Sequence, residues 1–442
     1  MKTKVFTIAW LMVFPFISNA QENKEEPKFG ISFSGFVKTD IFYDTRQSGC
    51  IREGHFLLYP ENISLDPNNK DINDKPSFNI LSIQSRLKGT ITGPDAFGAK
   101  TSGVLEADFF GNENNNFVDL NGFRLRHAFV KLNWKSTELL AGQYWHPMFI
   151  AESFPEVLSF NTGAPFQPFS RNPQIRISKT FGGLKLMGCM FSQRDFTSSG
   201  PEYIKAANGE YNSAAIANSK YLRNAGIPNT HFQMQFTPDS TGHLFGVGVD
   251  YKKLLPELYT VDYTKTKTFE SSETIGSISA IAFAKFKFKP ITLKIEGVYA
   301  QNAYDMTMLG GYAVNQISDS LTGAKDFTSL NTGAFWLEMN TNGKKIQLGL
   351  FAGYTKNLGS TDSIQTDNFY KKEIYYARCS NIDNVYRIAP RIVFISGKLD
   401  IGVEIEHTVA TYGKANGDKT GGVTDGKSVA NTRGLLVFLY KF

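Results

Sequence analysis

After its first twenty residues the chain has no apolar run approaching the roughly 18 residues that a membrane-spanning helix needs, and helical periodicity is scarce along its length. Those two absences exclude a helical membrane protein and leave little room for an all-α fold. Cysteine is nearly missing. Cys50, Cys189 and Cys379 cannot all pair, and their spacing matches no metal motif. Cys50 and Cys379 both fall in or beside expected outer loops, so one disulfide is conceivable in an oxidising compartment, while three unpaired thiols is the simpler reading. An excess of one charge is lacking too: 47 Lys and Arg stand against 41 Asp and Glu, a formal +6, which suits anions weakly and argues against a nucleic-acid binder. Catalytic and metal motifs are also absent, since His55, His127, His146, His231, His243 and His407 stand in no recognisable nucleophile or ligand pattern. No cofactor is expected.

Aromatic residues, by contrast, are abundant. They make up 14% of the chain, with 37 Phe and 19 Tyr, alongside 39 Gly, while the mean hydropathy is only −0.24. A transmembrane β-barrel reconciles these numbers, because one face of each strand meets lipid and the other meets water. At the N-terminus Lys2 and Lys4 precede an apolar run from Val5 to Ile17, interrupted by Pro15, and then Ser18-Asn19-Ala20. Basic, apolar, small is the order of a cleavable secretory signal, so residues 1–20 are expected to be removed and 21–442 to form one barrel domain.

The dominant period is two. In the first segment Ile31, Phe33, Val37, Ile41 and Tyr43 share a face opposite Ser32, Ser34, Lys38, Asp40 and Asp44. Similar segments recur near 81–91, 105–109, 123–132, 138–146, 173–181, 184–194, 230–237, 243–252, 276–288, 291–302, 333–342, 345–356, 385–396, 398–411 and 429–442. Together they predict an all-β, antiparallel barrel of 16 strands, within the size range that encloses an aqueous channel. Short links such as Gly182-Gly183, Lys289-Pro290 and Ser396-Gly397 alternate with long polar connections, as in barrels with short periplasmic turns and longer outer loops. The chain ends Phe438-Leu439-Tyr440-Lys441-Phe442, an amphipathic strand with a terminal aromatic that resembles the signal recognised by the barrel-assembly machinery.

Burying Arg or Lys at the lipid midplane costs roughly 2–4 kcal/mol, so the alternation assigns charges to the lumen. Lys38, Asp40, Arg86, Lys88, Glu106, Asp108, Arg124, Arg126 and Arg176 are expected on one wall, and Arg387, Arg391, Asp400, Glu404, Glu406 and Arg433 on the other. Opposed charges across a pore orient polar solutes, and a local basic excess raises anion concentration. The same charges could instead simply pair along the wall. The connection 147–172 follows the fifth strand and is the candidate constriction loop. Phe149, Phe154, Phe160, Phe166 and Phe169 are too apolar for a free outer loop, Pro147, Pro155, Pro165 and Pro168 stiffen it, and Glu152, Glu156 and Arg171 carry charge. A loop packed at a trimer interface is the alternative. Asn112–Asn116 with Asp119, and the stretch 66–74, lack the glycine-turn spacing of a calcium hand and read as solvated loops.

Gly35-Phe36-Val37-Lys38-Thr39-Asp40-Ile41-Phe42-Tyr43-Asp44, Gln84-Ser85-Arg86-Leu87, Ala107-Asp108-Phe109-Phe110-Gly111, Arg124-Leu125-Arg126-His127-Ala128-Phe129-Val130 and Leu140-Ala141-Gly142-Gln143 resemble the DcaP-like trimeric porins, most clearly across the first 180 or so residues. The resemblance implies a homotrimer in the outer membrane that takes up small, often anionic, organic solutes. Some relatives carry an N-terminal coiled coil, whereas here only Gln21 to Lys28 would precede the first strand. The expectation is therefore a passive diffusion channel for small hydrophilic solutes, set against an outer-membrane hydrolase and a surface receptor or structural barrel.

Overall fold

Strands whose side chains alternate between apolar and polar can leave no backbone group unpaired in lipid unless the last strand returns to the first. The computed structural model, which describes residues 29–51, 54–111, 121–238, 241–262, 264–365 and 374–442, closes in that way. The expected signal peptide, the Asn112–Asn116 run with Asp119, and the side chain of Cys50 lie outside the described residues.

The wall consists of β1 (Gly30–Asp44), β2 (Ser77–Leu81 and Arg86–Thr92), β3 (Lys100–Asp108), β4 (Arg124–Asn133), β5 (Thr137–Trp145), β6 (Arg171–Phe181), β7 (Leu184–Phe191) and β8 (Asn229–Phe236). It continues through β9 (Leu244–Leu254), β10 (Ile275–Lys287), β11 (Ile291–Gln301), β12 (Asn331–Thr341), β13 (Ile346–Gly359), β14 (Ile382–Ser396), β15 (Leu399–Lys414) and β16 (Thr424–Lys441). The sheet contains 17 hydrogen-bonded segments, but Ser77–Leu81 and Arg86–Thr92 both pair with β1 and are halves of one strand, leaving sixteen. Between the halves Ser85 Oγ accepts the Lys38 amide at 3.0 Å, so a side chain replaces a missing ladder bond. All neighbours are antiparallel, and β16 closes on β1 in a register running from Phe36↔Lys441 to Asp44↔Arg433.

Each expected strand corresponds to one of these sixteen. The long connections hold further structure that periodicity did not predict: hairpins Ser48–Ile51 with Phe56–Pro60, Ser199–Lys205 with Tyr211–Ala217, and Tyr259–Val261 with Thr268–Glu270, plus a three-stranded sheet of Gly310–Asp319, Ala324–Ser329 and Tyr375–Arg378. A β-bulge at Glu106/Ala107 locally breaks the alternation, so Arg126 and its neighbour His127 are both buried.

On β9, Val247, Val249 and Tyr251 face outward and are exposed, while Asp250 and Lys252 face inward and are buried. The outer surface carries Tyr43, Tyr251, Tyr299, Tyr354 and Tyr386 toward the loop end, and Phe181, Phe236, Phe394, Phe438 and Tyr440 toward the turn end. Two aromatic girdles flanking an apolar band match the two interfaces of a bilayer. No helix among the described residues is long and apolar enough to span a membrane, so the crossing is made by strands.

The terminal Phe442 extends the closing ladder past β16. Its amide donates to the Gly35 carbonyl at 3.2 Å and its carbonyl accepts the Gly35 amide at 3.3 Å. Its ring covers Gly35, where an added Cβ would lie 2.9 Å from Phe442 Cζ and 2.1 Å from the Arg86 carbonyl oxygen. Deleting Phe442 is therefore expected to lower the amount of heat-modifiable barrel in the membrane, and Gly35→Val to do the same. Normal accumulation of both variants as folded barrels would make the terminal residue an ordinary strand residue.

Candidate functional site

The connection between β5 and β6, residues 146–170, turns into the barrel. Its apolar residues cannot stay in water, and inside they form a cluster in which Phe149, Phe160, Phe166 and Phe169 are buried with Trp336 and Phe351 of the wall. A backbone that enters the barrel needs hydrogen-bond partners. Side chains of the wall supply them: Glu404 accepts the Leu158 and Ser159 amides at 2.9 and 3.1 Å, and Glu338 accepts the Glu156 amide at 2.7 Å. Glu406 accepts from Asn161 Nδ2 at 2.7 Å, while Lys38, Lys294 and Arg387 donate to the carbonyls of Leu158, Phe154 and Ala164 at 2.7, 3.0 and 3.0 Å. At Gly402 an added Cβ would lie 2.5 Å from Leu158 Cδ1, so this wall is recessed where the loop rests.

The loop is shorter than 147–172. Arg171 and Asn172 pair with Trp145 and Tyr144 as the first residues of β6, so Arg171 is a wall residue; its guanidinium binds Asp195 at 2.6 Å and lies 5.3 Å from the Trp145 ring centroid. Of the other expected loop residues, Glu152 is exposed, Glu156 is half exposed and pairs with Lys294 at 2.7 Å, and Phe160 is buried.

The two walls differ in what their charges do. On the β1–β6 side Arg124 binds Asp108 at 2.8 Å, Arg126 bridges Glu106 and Asp108 at 2.8 and 2.7 Å, and Arg86 lies 3.5 Å from Glu106. Arg176 donates to Gln174 at 2.9 Å, and Lys88 is opposite Glu106 in the ladder. Here the cations outnumber Glu106 and Asp108, and Arg86, Lys88, Arg124 and Arg176 are partly exposed. Lys38 and Asp40, 2.9 Å apart, face inward but are buried. Between this wall and the inserted loop lies a cavity of about 280 Å³ lined by Lys38, Arg86 and Arg126 on one side and by Phe149, Phe154 and Leu158 on the other. Phe160 and Phe169 line it as well, and the Phe110 ring packs 4.4 Å from that of Phe160.

On the opposite side the inward orientation also holds, but contact with open lumen does not. Arg387, Arg391, Glu404, Glu406 and Arg433 are all buried beneath inserted loops, because the loops use them as hydrogen-bond partners. Arg391 pairs with Glu338 at 2.6 Å and Arg433 with Asp44 at 2.7 Å. Asp400 sits apart at the turn end with Lys441, 2.5 Å away.

Sequence reading missed three participants. Lys294 and Glu338 were legible, since they fall on the polar faces of strands that had been recognised. The paired segments Ser48–Ile51 and Phe56–Pro60 also lie inside the barrel, with Phe56, Leu57 and Leu58 buried; their signal was the apolar run Phe56-Leu57-Leu58-Tyr59 within a nominally polar loop. Cys189 and Cys379 are free thiols, and Cys379 donates to Tyr59 Oη at 2.6 Å. No group able to hold a metal ion occurs among the described residues. In the stretch 66–74, Asp66 and Asp71 instead accept loop amides, Asp66 from Asn68 and Lys70, and Asp71 from Ser64 and Asn73.

No protein-family model matches the chain, and no curated protein matches it. Solved structures do. OmpT of Vibrio cholerae, an outer-membrane protein folded in vitro and solved in a trimer form, superposes with a TM-score of 0.51 at 9% identity, covering 94% of this chain and 99% of that one. A second structure of the in-vitro folded OmpT gives 0.51 at 8% identity, covering 94% and 98%. OprB of Pseudomonas putida is aligned at 9% identity over 93% and 94% of the two chains, with a TM-score of 0.46. At such identities the likeness lies in the fold: this chain is built as outer-membrane barrels are.

Proposed function

We propose that the chain is an outer-membrane porin: a homotrimeric, passive channel for small hydrophilic solutes with a preference for anions, of the DcaP-like kind that its N-terminal motifs resemble. The observation that carries this reading is the cavity between the cationic β1–β6 wall and the inserted loop. A diffusion channel needs a narrow polar passage with charge placed where solutes are dehydrated most. Arg86 and Arg126 line that cavity, and Lys88, Arg124 and Arg176 lie on the same wall, a set of cations suited to supply such a field. The outer aromatic girdles and apolar band support residence in the outer membrane beside its lipids, and the terminal Phe442 suits delivery by the barrel-assembly machinery. The reading gives the chain no catalytic role.

Purified, heat-modifiable protein in planar bilayers is expected to give stepwise ion conductance. Silence from a folded barrel, both intact and with the Ser48–Pro60 hairpin removed, would overturn the reading. In a salt gradient the reversal potential is expected to show anion preference. A unit charge about 10 Å from an ion in water is worth about 0.4 kcal/mol, or about twofold in local concentration. Arg86→Gln halves the local anion concentration and doubles the local cation concentration, so it should reduce the anion-to-cation permeability ratio by about fourfold without altering heat-modifiability. A cation-selective wild type would reject the assignment of this wall as the selectivity element.

A further inference from the structure

The first loop sends a hairpin, Ser48–Ile51 and Phe56–Pro60, into the lumen beside the β5–β6 loop. We propose that this hairpin is a reversible plug: docked, it closes the loop end of the barrel above the cation-lined cavity, and withdrawn, it opens the pathway. The proposal rests on the channel reading above and identifies the closed state and its moving part.

The docking contacts have an unusual chemistry. Wall side chains hold the arm by its backbone carbonyls. Arg433 donates to Gly54 O at 2.6 Å and His55 O at 3.4 Å, Arg387 to Leu57 O and Leu58 O at 3.0 and 3.2 Å, and Tyr412 to Pro60 O at 2.7 Å. Side-chain contacts add to these: His55 Nε2 lies 2.6 Å from Asp40 Oδ2, Cys379 donates to Tyr59 Oη at 2.6 Å, and Asn431 donates to Ser48 Oγ at 3.3 Å. Phe56 packs against Phe160 and Phe169, with centroids 5.5 and 5.1 Å away, so the arm and the β5–β6 loop form one apolar stopper. Rings at a constriction exclude water as well as solute.

Three features make the arm removable. First, the hairpin pairs only with itself in a two-stranded sheet, so its departure breaks no ladder of the barrel. Second, the anchoring cations keep partners on the wall when it leaves: Arg433 retains Asp44 at 2.7 Å, and Arg387 retains Thr408 at 2.8 Å with Glu406 3.8 Å away. Neither becomes an unpaired buried charge, which is the costly outcome. Third, the base of the loop is fixed separately, by Arg46 on Glu61 O at 2.8 Å and Asp71 at 2.7 Å, leaving the hairpin as the part free to swing. The burial of Phe56, Leu57 and Leu58 makes the docked state the resting one. Withdrawal would bring Arg387 and Arg433 into contact with water, turning wall clamps into pore lining.

The test replaces residues 49–59 with a short Gly-Ser linker in the otherwise full chain. The variant is expected to remain heat-modifiable and to raise the fraction of time spent open by about tenfold or more over wild type. Equal open fractions in the two proteins would overturn the plug. A folded variant that stays silent would overturn the channel reading, and the plug with it. Should the variant not fold, Leu57→Cys in a chain with Cys50, Cys189 and Cys379 changed to Ser decides. Labelling by a membrane-impermeant maleimide added from the loop side, with currents that then persist, supports withdrawal; complete protection while currents flow overturns it.

Discussion

Every backbone amide and carbonyl in the membrane must find a partner, and the ladder between β1 and β16 is where that requirement is met or missed. An open sheet would expose two unpaired edges to hydrocarbon, each group costing several kcal/mol. Closure from Phe36↔Lys441 to Asp44↔Arg433, extended by Gly35 and Phe442, removes both edges at once. Once the wall is closed, period two has only two destinations for side chains. Apolar ones go to lipid and polar ones to the interior, and the charges of the lumen follow from the ladder rather than from any local preference.

The same requirement governs the interior. The loop 146–170 and the paired segments Ser48–Ile51 and Phe56–Pro60 enter the barrel without a wall strand beside them, and the wall's ionic side chains take the place of the missing ladder. Carboxylates of Glu338 and Glu404 accept loop amides, while Arg387 and Arg433 donate to loop carbonyls. The β11–β16 wall is thereby committed to holding loops. On the β1–β6 wall, by contrast, Arg86, Lys88, Arg124 and Arg176 stay partly exposed.

The strands were legible because their signal is local: Lys38, Asp40 and Val37 declare their faces within three residues, and all sixteen strands were found from such patterns. Inward orientation of Arg387, Arg433, Glu404 and Glu406 was legible for the same reason. Their burial was not, since it depends on which distant loop lies over them; Leu57 and Arg387 are 330 positions apart in the chain. Arg171 was misplaced into the loop because its strand partner, Trp145, precedes a turn rich in proline and phenylalanine that hides where pairing resumes. Periodicity also cannot show a bulge in advance, so the paired burial of Arg126 and His127 had no sequence signature.

The charge arrangement on the β1–β6 wall is unfavourable by itself. Arg86, Arg124 and Arg126 converge on Glu106 and Asp108, and like charges held this close repel. Taking such groups partly out of water adds a desolvation cost that pairing rarely recovers in full, and apolar substitutes of similar volume would often be neutral or stabilising. The barrel can carry that cost because the wall is held by its ladders independently of the ion pairs: Arg86 is paired on both sides, with Phe36 and with Asp108, and Arg124 is paired with Asp108. The arrangement sets positive charge against the inserted loop, where Arg86 and Arg126 line the cavity between the two. A network placed there for stability alone would have matched each cation with a carboxylate, as the β11–β16 wall comes nearer to doing with Arg391 and Glu338, and Lys294 and Glu156. On the β1–β6 wall three guanidinium groups share Glu106 and Asp108, a crowding that supports the channel reading proposed above.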